Sequence, residues 1–208
     1  MWMDRFQKTD REFLNHTIPF YYMEGIIGNL LRSRQYIEIY RNTADLTDRR
    51  ANMIIRKAEE KDIPRILELL EQVLQIHADI RPDIFIPGTT KYTADELTEL
   101  LKNAEKPIYV AADEDDVCMG YAFCQLQEQP FSNNMVPFKT LFIDDLCVDQ
   151  EARGRHIGES LFEYVKNEAK QLGCYEVTLH VWTGNTSAEK FYEKMGMRTK
   201  ERQMEYII

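Results

Sequence analysis

Apolar residues recur at three- and four-residue spacing through Ile66, Leu67, Leu70, Val73 and Leu74, the period of a helix with one buried face. Asp62 stands where an N-cap belongs and Pro64 in the first turn, so that helix is predicted to begin there. Thr93-Ala94-Asp95-Glu96 fits a capping box ahead of Leu97, Leu100 and Leu101, and predicts a second helix stopped by Pro107. Residues 53–57 read as a first strand. Residues 108–112 and 117–126 are rich in β-formers around an acidic turn at 113–116, the pattern of a hairpin. Residues 139–148 form a central strand, apolar apart from Asp144 and Asp145, which as strand neighbours are expected on opposite faces. A helix through Ile157, Leu161, Val165, Ala169 and Leu172 ends at Gly173. Residues 175–182 give another strand, 187–195 a short helix closed by Gly196, and 197–208 a last strand of alternating character. The order β-α-α-β-β-β-α-β-α-β mixes hairpins with a crossover helix. It predicts an α/β (α+β) class, a mixed sheet flanked by helices.

All of these elements lie after residue 52 of the 208, so one principal domain is expected at 53–208. Residues 1–52 differ in character: a Pro19-Phe20-Tyr21-Tyr22 cluster, an amphipathic stretch at 24–40 and a polar, linker-like tract at 41–52. They form an N-terminal extension, partly helical, whose role the sequence does not disclose; self-association into a homodimer, or docking, is the candidate use. Met53 is equally a candidate translation start. The formal charge of −9, whose acidic excess lies entirely in 53–208, has the wrong sign for a partner rich in phosphates, so nucleic acid is demoted. No apolar run approaches the ~18 residues of a membrane span, and the opening residues lack the pattern of a secretory leader, so a cytoplasmic protein without a membrane partner is expected. Cys118, Cys124, Cys147 and Cys174 show no paired or zinc-type spacing. They read as reduced, buried thiols, with no metal expected.

Chemistry concentrates in the turn between the central strand and the following helix, Arg153-Gly154-Arg155-His156-Ile157-Gly158. Glycines let backbone N–H groups approach a ligand and a helix N-terminus adds partial positive charge, which together with two arginines suits a pyrophosphate. The turn is neither a Walker loop nor G-x-G-x-x-G. On the six residues alone, an ordinary glycine turn with surface arginines fits equally well. In the 76–92 link, His77, Arg81 and Phe85 stand in a segment unusually dense in polar and aromatic groups, with Pro82 forcing Arg81 extended. This link shapes an acceptor pocket together with the 128–138 loop, or else it is a capped helix end with Arg81 and Asp83 paired at the surface.

Arg153, Gly154, Ile157 and Gly158 match the Arg-Gly-x-Gly-Ile-Gly turn of the GNAT superfamily of acyl-CoA-dependent N-acetyltransferases, which this chain resembles; His156 replaces the middle glycine. A second block, Leu179-x-Val181-x-x-x-Asn185-x-x-Ala188-x-x-Phe191-Tyr192-Glu193-Lys194-x-Gly196, resembles the C-terminal motif of the family, and the resemblance covers about 53–208. It implies a mostly antiparallel, splayed sheet with acetyl-CoA as cosubstrate between the strands at 139–148 and 175–182. The N–H of Leu146 would meet the thioester carbonyl, and the backbone of Cys147 and Val148 the pantetheine. Residues Arg153, Gly154, Arg155, His156, Ile157 and Gly158 would hold the pyrophosphate, with Glu159 and Ser160 extending that shell. Asn185 and Ala188 belong to the cofactor side, although an Asn in a Gly-Asn-Thr turn also has a local use. Lys194 would assist the phosphates. Tyr192, matching the family tyrosine, is the candidate acid toward the departing thiolate. An attacking amine must shed a proton, and His180, Asp144 and Asp145 compete for the role of base. His180 is preferred, because it stands where the bacterial ribosomal-protein alanine acetyltransferases carry a Glu in Leu-Glu-Val. The implied function is direct acetyl transfer to the amine of a small molecule or a protein, without a metal. The alternative is a non-catalytic acyl-CoA sensor or partner-binding module.

Overall fold

The computed structural model describes residues 53–128 and 132–208. The expectations for 1–52, and the residues 129–131 of the 128–138 loop, lie outside the described residues. Five strands form one sheet in the order β1-β2-β3-β4-β5: β1 Ile54–Lys57, β2 Ile108–Ala112, β3 Cys118–Glu128, β4 Lys139–Val148 and β5 Glu176–Leu179. Neighbours from β1 to β4 are antiparallel. β4 and β5 are parallel, joined by a helical crossover. The helices are α1 Ile63–Ile80, α2 Ala94–Leu100, α3 Ile157–Gln171 and α4 Thr186–Lys194. The mixed sheet flanked by helices is the architecture that the alternation of strands and helices predicts, and its mostly antiparallel pairing is what the resemblance implies.

The start signals act in different ways. Thr93 caps α2 as expected, accepting the Glu96 N–H while the Glu96 carboxylate accepts the Thr93 N–H. Asp62 takes the N-cap position of α1 without capping it. Its buried carboxylate instead accepts two hydrogen bonds from the Arg56 guanidinium, at 2.7 and 3.0 Å, and one from the Glu59 N–H. Gly173, at φ +71°, closes α3 with the Cys174 N–H donated back to the Ala169 carbonyl.

Side chains on the two faces of the sheet pack into separate cores. Tyr109, Ala122, Leu141 and Ile143 face Leu161, Phe162 and Val165 of α3. Val110, Tyr121, Phe123 and Cys147 face Ile66, Leu69 and Leu70 of α1 and Leu97 of α2. Alternation along β4 would put Leu141, Ile143 and Cys147 on one face, yet Cys147 lies opposite the other two. The register explains it: Phe123 pairs with Asp145 and Cys124 with Ile143, so Asp144 is an extra residue and a bulge.

Two expectations fail. The strand at 175–182 is cut to Glu176–Leu179, because its ladder with β4 runs only from Thr140 to Ile143 and ends where the bulge begins. Residues 197–208 form no strand. Alternation is necessary for a strand but a ladder partner is too, and this segment is held otherwise: the Met197 N–H donates to the Tyr192 carbonyl at 3.0 Å, Lys200 pairs with Glu176 at 2.5 Å, and Arg81 with Glu205 at 2.8 Å. Met204, Tyr206, Ile207 and Ile208 stay exposed.

Candidate active site

The splay between β4 and β5 is the centre of the site. Beyond Ile143 and Leu179 the two strands share no ladder, so residues 144–148 have no strand partner on the β5 side. Backbone polar groups left this way are available to an amide-rich ligand. Leu146 and Val148 pack their side chains toward α3. The Cys147 thiol is buried on the other face, 3.5 Å from the Leu69 carbonyl, and burial pushes it up to about 12.

The bulge removes the strict alternation on which the expectation of opposite faces for Asp144 and Asp145 rests, and the two carboxylates take different partners. Asp144 is exposed and accepts a hydrogen bond from the Lys91 ammonium at 2.7 Å. Asp145 is partly buried and accepts one from the Tyr121 hydroxyl at 3.0 Å. Burial lifts the Asp145 carboxyl to about 6, against the opposing pull of Lys91, Tyr121 and the Leu146 N–H. A carboxyl in that range exchanges protons near neutrality.

Tyr192 stands on α4, on the α3 side of the sheet. Its ring packs on Phe162 and Phe191. Burial and the nearby Asp145 charge raise its phenol well above the ordinary tyrosine range, so it remains protonated. Among the described residues its hydroxyl makes no hydrogen bond. His180 lies just past the end of β5, exposed, with its ring edge-on to Phe142 at 5.1 Å.

The turn before α3 combines glycine geometry with free cations. Gly154 has φ +77°, and His156, where the family has glycine, adopts the left-handed conformation at φ +60°. Gly158 is needed for packing: a Cβ there would meet the Phe191 ring at 3.4 Å and Val148 at 3.5 Å. The exposed side chains of Arg153 and Arg155 make no ion pair among the described residues. Glu159, by contrast, is held low by Lys194 at 2.6 Å and His156 at 3.0 Å. Lys194 is therefore tied to a carboxylate at the mouth of α3. The Ser160 N–H closes the first turn of α3 on the His156 carbonyl, and Asn185 caps α4 by accepting the Ala188 N–H, the local use open to it from sequence.

His77, Arg81 and Phe85 do come together. Phe85 lies 5.0 Å from the His77 ring and 5.3 Å, edge-on, from Trp182, and Arg81 covers Trp182 at 5.7 Å. Arg81 also forks onto Asp83, the surface pairing open to it from sequence. Burial and the Lys91 charge depress the His77 imidazole, which keeps it neutral. Of the 128–138 loop, Phe138 packs on Tyr175. Sequence reasoning missed Lys91, Tyr92, Tyr121 and Trp182. Lys91 and Tyr92 lie in the link singled out for the acceptor, and their signal was a cation next to an aromatic at the end of that link. Among the described residues no group of His, Cys, Asp and Glu is placed to hold a metal ion, and no helix is long and apolar enough to cross a membrane.

Comparison with known proteins agrees with this geometry. The BH1408 protein of Bacillus halodurans, in the crystal structure of a mutant, superposes with a TM-score of 0.71 at 30% identity, over 74% of this chain and 99% of that one. Glucosamine-6-phosphate N-acetyltransferase of Arabidopsis thaliana is 39% identical over 62 residues, 30% of this chain. The match spans 40% of the length of that relative. A crystal structure of the Arabidopsis enzyme has a TM-score of 0.56 at 26% identity, over 74% of this chain and 97% of that one. Residues 70–197, more than half of the chain and including the splay, the arginine turn and Tyr192, match the model of the acetyltransferase (GNAT) family. The chain belongs to the GNAT acetyltransferases.

Proposed function

We propose that this protein transfers an acetyl group from acetyl-CoA to a primary amine by direct attack in a ternary complex. The observation that carries the reading is the splay beyond the end of the β4–β5 ladder, with Asp145, its carboxyl at about 6, on the freed stretch of β4, and Tyr192 on α4, where the Asp145 charge helps to raise its phenol. Arg153 and Arg155 beside the α3 N-terminus suit the pyrophosphate of the cosubstrate, and the open backbone of 144–148 suits its pantetheine.

Asp145, rather than His180, is the base in this reading. It lies in the splay, whereas the His180 ring is exposed on Phe142 beyond β5. Asp145 takes a proton from the ammonium form of the acceptor; the freed nitrogen bonds to the acetyl carbon, and collapse breaks the thioester C–S bond. Tyr192 gives its proton to the departing sulfur, and the second proton shed by the acylated nitrogen restores the phenol. A thiol nucleophile is disfavoured, since burial pushes Cys118 to about 11 and Cys124 and Cys147 to about 12.

The test is release of CoA thiol from acetyl-CoA with a panel of amines, glucosamine 6-phosphate included, on the wild type and Tyr192→Phe. Turnover by the wild type that collapses in Tyr192→Phe supports the reading. Binding of acetyl-CoA without turnover of any amine refutes it.

A further inference from the structure

The Asp144 carboxylate already holds a ligand of a definite kind. The primary ammonium of Lys91, at the end of a four-carbon chain, lies 2.7 Å from Asp144 and 5.6 Å from the centre of the Tyr92 ring. Carboxylate and aromatic face together are a cation-binding pair. Lys91 and Asp144 are 42% and 37% exposed, so the contact is open to exchange with solvent ions. The other cation along the acceptor link, Arg81, is engaged by both Asp83 and Glu205. Neither of these cations is free to receive an anionic substituent of an acceptor.

We propose that Asp144 and Tyr92 form the subsite for a second ammonium group of the acceptor, that Lys91 occupies it in the unliganded protein as an internal surrogate, and that the acceptors are therefore short, unphosphorylated alkyl diamines. This deepens the transferase reading and rests on it: Asp145 serves the reacting nitrogen and Asp144, the adjacent residue on the bulge, anchors the distal one. The bulge is what allows the division of labour, since Asp144 is its extra residue and meets Lys91 while Asp145 keeps to the Tyr121 hydroxyl. Lys91 acts as a competitor whose removal exposes the subsite, so it limits the affinity for its own mimics.

The experiment is calorimetric titration of 1,4-diaminobutane into the full chain loaded with CoA, for the wild type, Lys91→Met, Lys91→Arg and Asp144→Asn, with glucosamine 6-phosphate titrated in parallel. An exposed ion pair of this kind predicts a diamine Kd about two- to fivefold tighter in Lys91→Met. No such gain is expected in Lys91→Arg, which keeps a competing cation, and Asp144→Asn weakens binding. Weaker diamine binding in Lys91→Met, or tighter wild-type binding of glucosamine 6-phosphate than of the diamine, overturns the proposal. Thiol release on replacing CoA by acetyl-CoA separates the two ideas. Tightened binding without release leaves the subsite standing and removes the transferase reading, and release with the phosphosugar alone does the reverse.

Discussion

Replacing Asp145 by Asn separates the work of the carboxylate from its place in the fold. Burial raises its pKa from 3.8 to about 6, so the folded protein holds this proton more tightly than the unfolded chain does. At ~1.4 kcal/mol per tenfold, the difference is worth about 3 kcal/mol. The sign follows from proton uptake. Below pH 3.8 the group is neutral in both states and costs nothing. As pH climbs from about 4 to 6 the unfolded chain releases its proton first, and stability falls until the full cost is reached above about 6. Asn removes the charge and can still accept the Tyr121 hydroxyl. Asp145→Asn is therefore expected to match the wild type in urea denaturation at pH 4 and to exceed it by up to about 3 kcal/mol at pH 8. Acetyl transfer should meanwhile fall by about 10²-fold or more. In the wild type, kcat/KM should rise with pH along a limb set near 6, and that limb should be missing from the residual activity of the variant. Lower stability of Asp145→Asn at pH 8, or an unchanged limb, would refute the reasoning.

Other substitutions address the remaining parts. Tyr192→Phe removes a protonated hydroxyl that has no hydrogen-bond partner among the described residues, so kcat should drop by about 10²-fold while calorimetry finds CoA affinity retained. His180→Ala removes an exposed ring from Phe142 and should leave the pH limb of kcat/KM in place; its loss would return the base role to His180. Gly154→Ala meets no atom within 4 Å but must hold φ +77°, so thermal unfolding should report a cost of about 1–2 kcal/mol, with weaker CoA binding in titration. Gly120→Ala would drive a Cβ to 2.7 Å from the Cys147 carbonyl, and the forced shift of β3 against β4 should cost about 1–3 kcal/mol in chemical denaturation.

The elements fixed by local physics were legible. The period of Ile66, Leu67, Leu70, Val73 and Leu74 locates α1, the Thr93–Glu96 box starts α2, Gly173 stops α3, and the apolar run at 139–148 is β4 to the residue. The glycine turn before α3 was legible as well, since Gly154 adopts the positive φ that only its residue type favours. Asn185 shows the opposite case. A capping role and a ligand-binding role leave the same letter in the chain, and only the Ala188 N–H at 3.2 Å distinguishes them.

What the sequence hid depends on pairing between strands. A bulge adds one residue to one strand of a pair and leaves no mark in the alternation of that strand, because β4 is apolar on both faces around it. Yet Asp144, as that extra residue, has three consequences that belong together. It reverses the faces of Asp145, Leu146, Cys147 and Val148, bringing Asp145 to the Tyr121 hydroxyl. It coincides with the end of the ladder to β5, which opens the splay. It also sets Asp144 against Lys91, a residue more than fifty positions earlier. The end of the β5 ladder and the placement of Asp145 against Tyr121 therefore meet at one inserted residue. Deleting Asp144 should for that reason remove activity even in a chain that still folds.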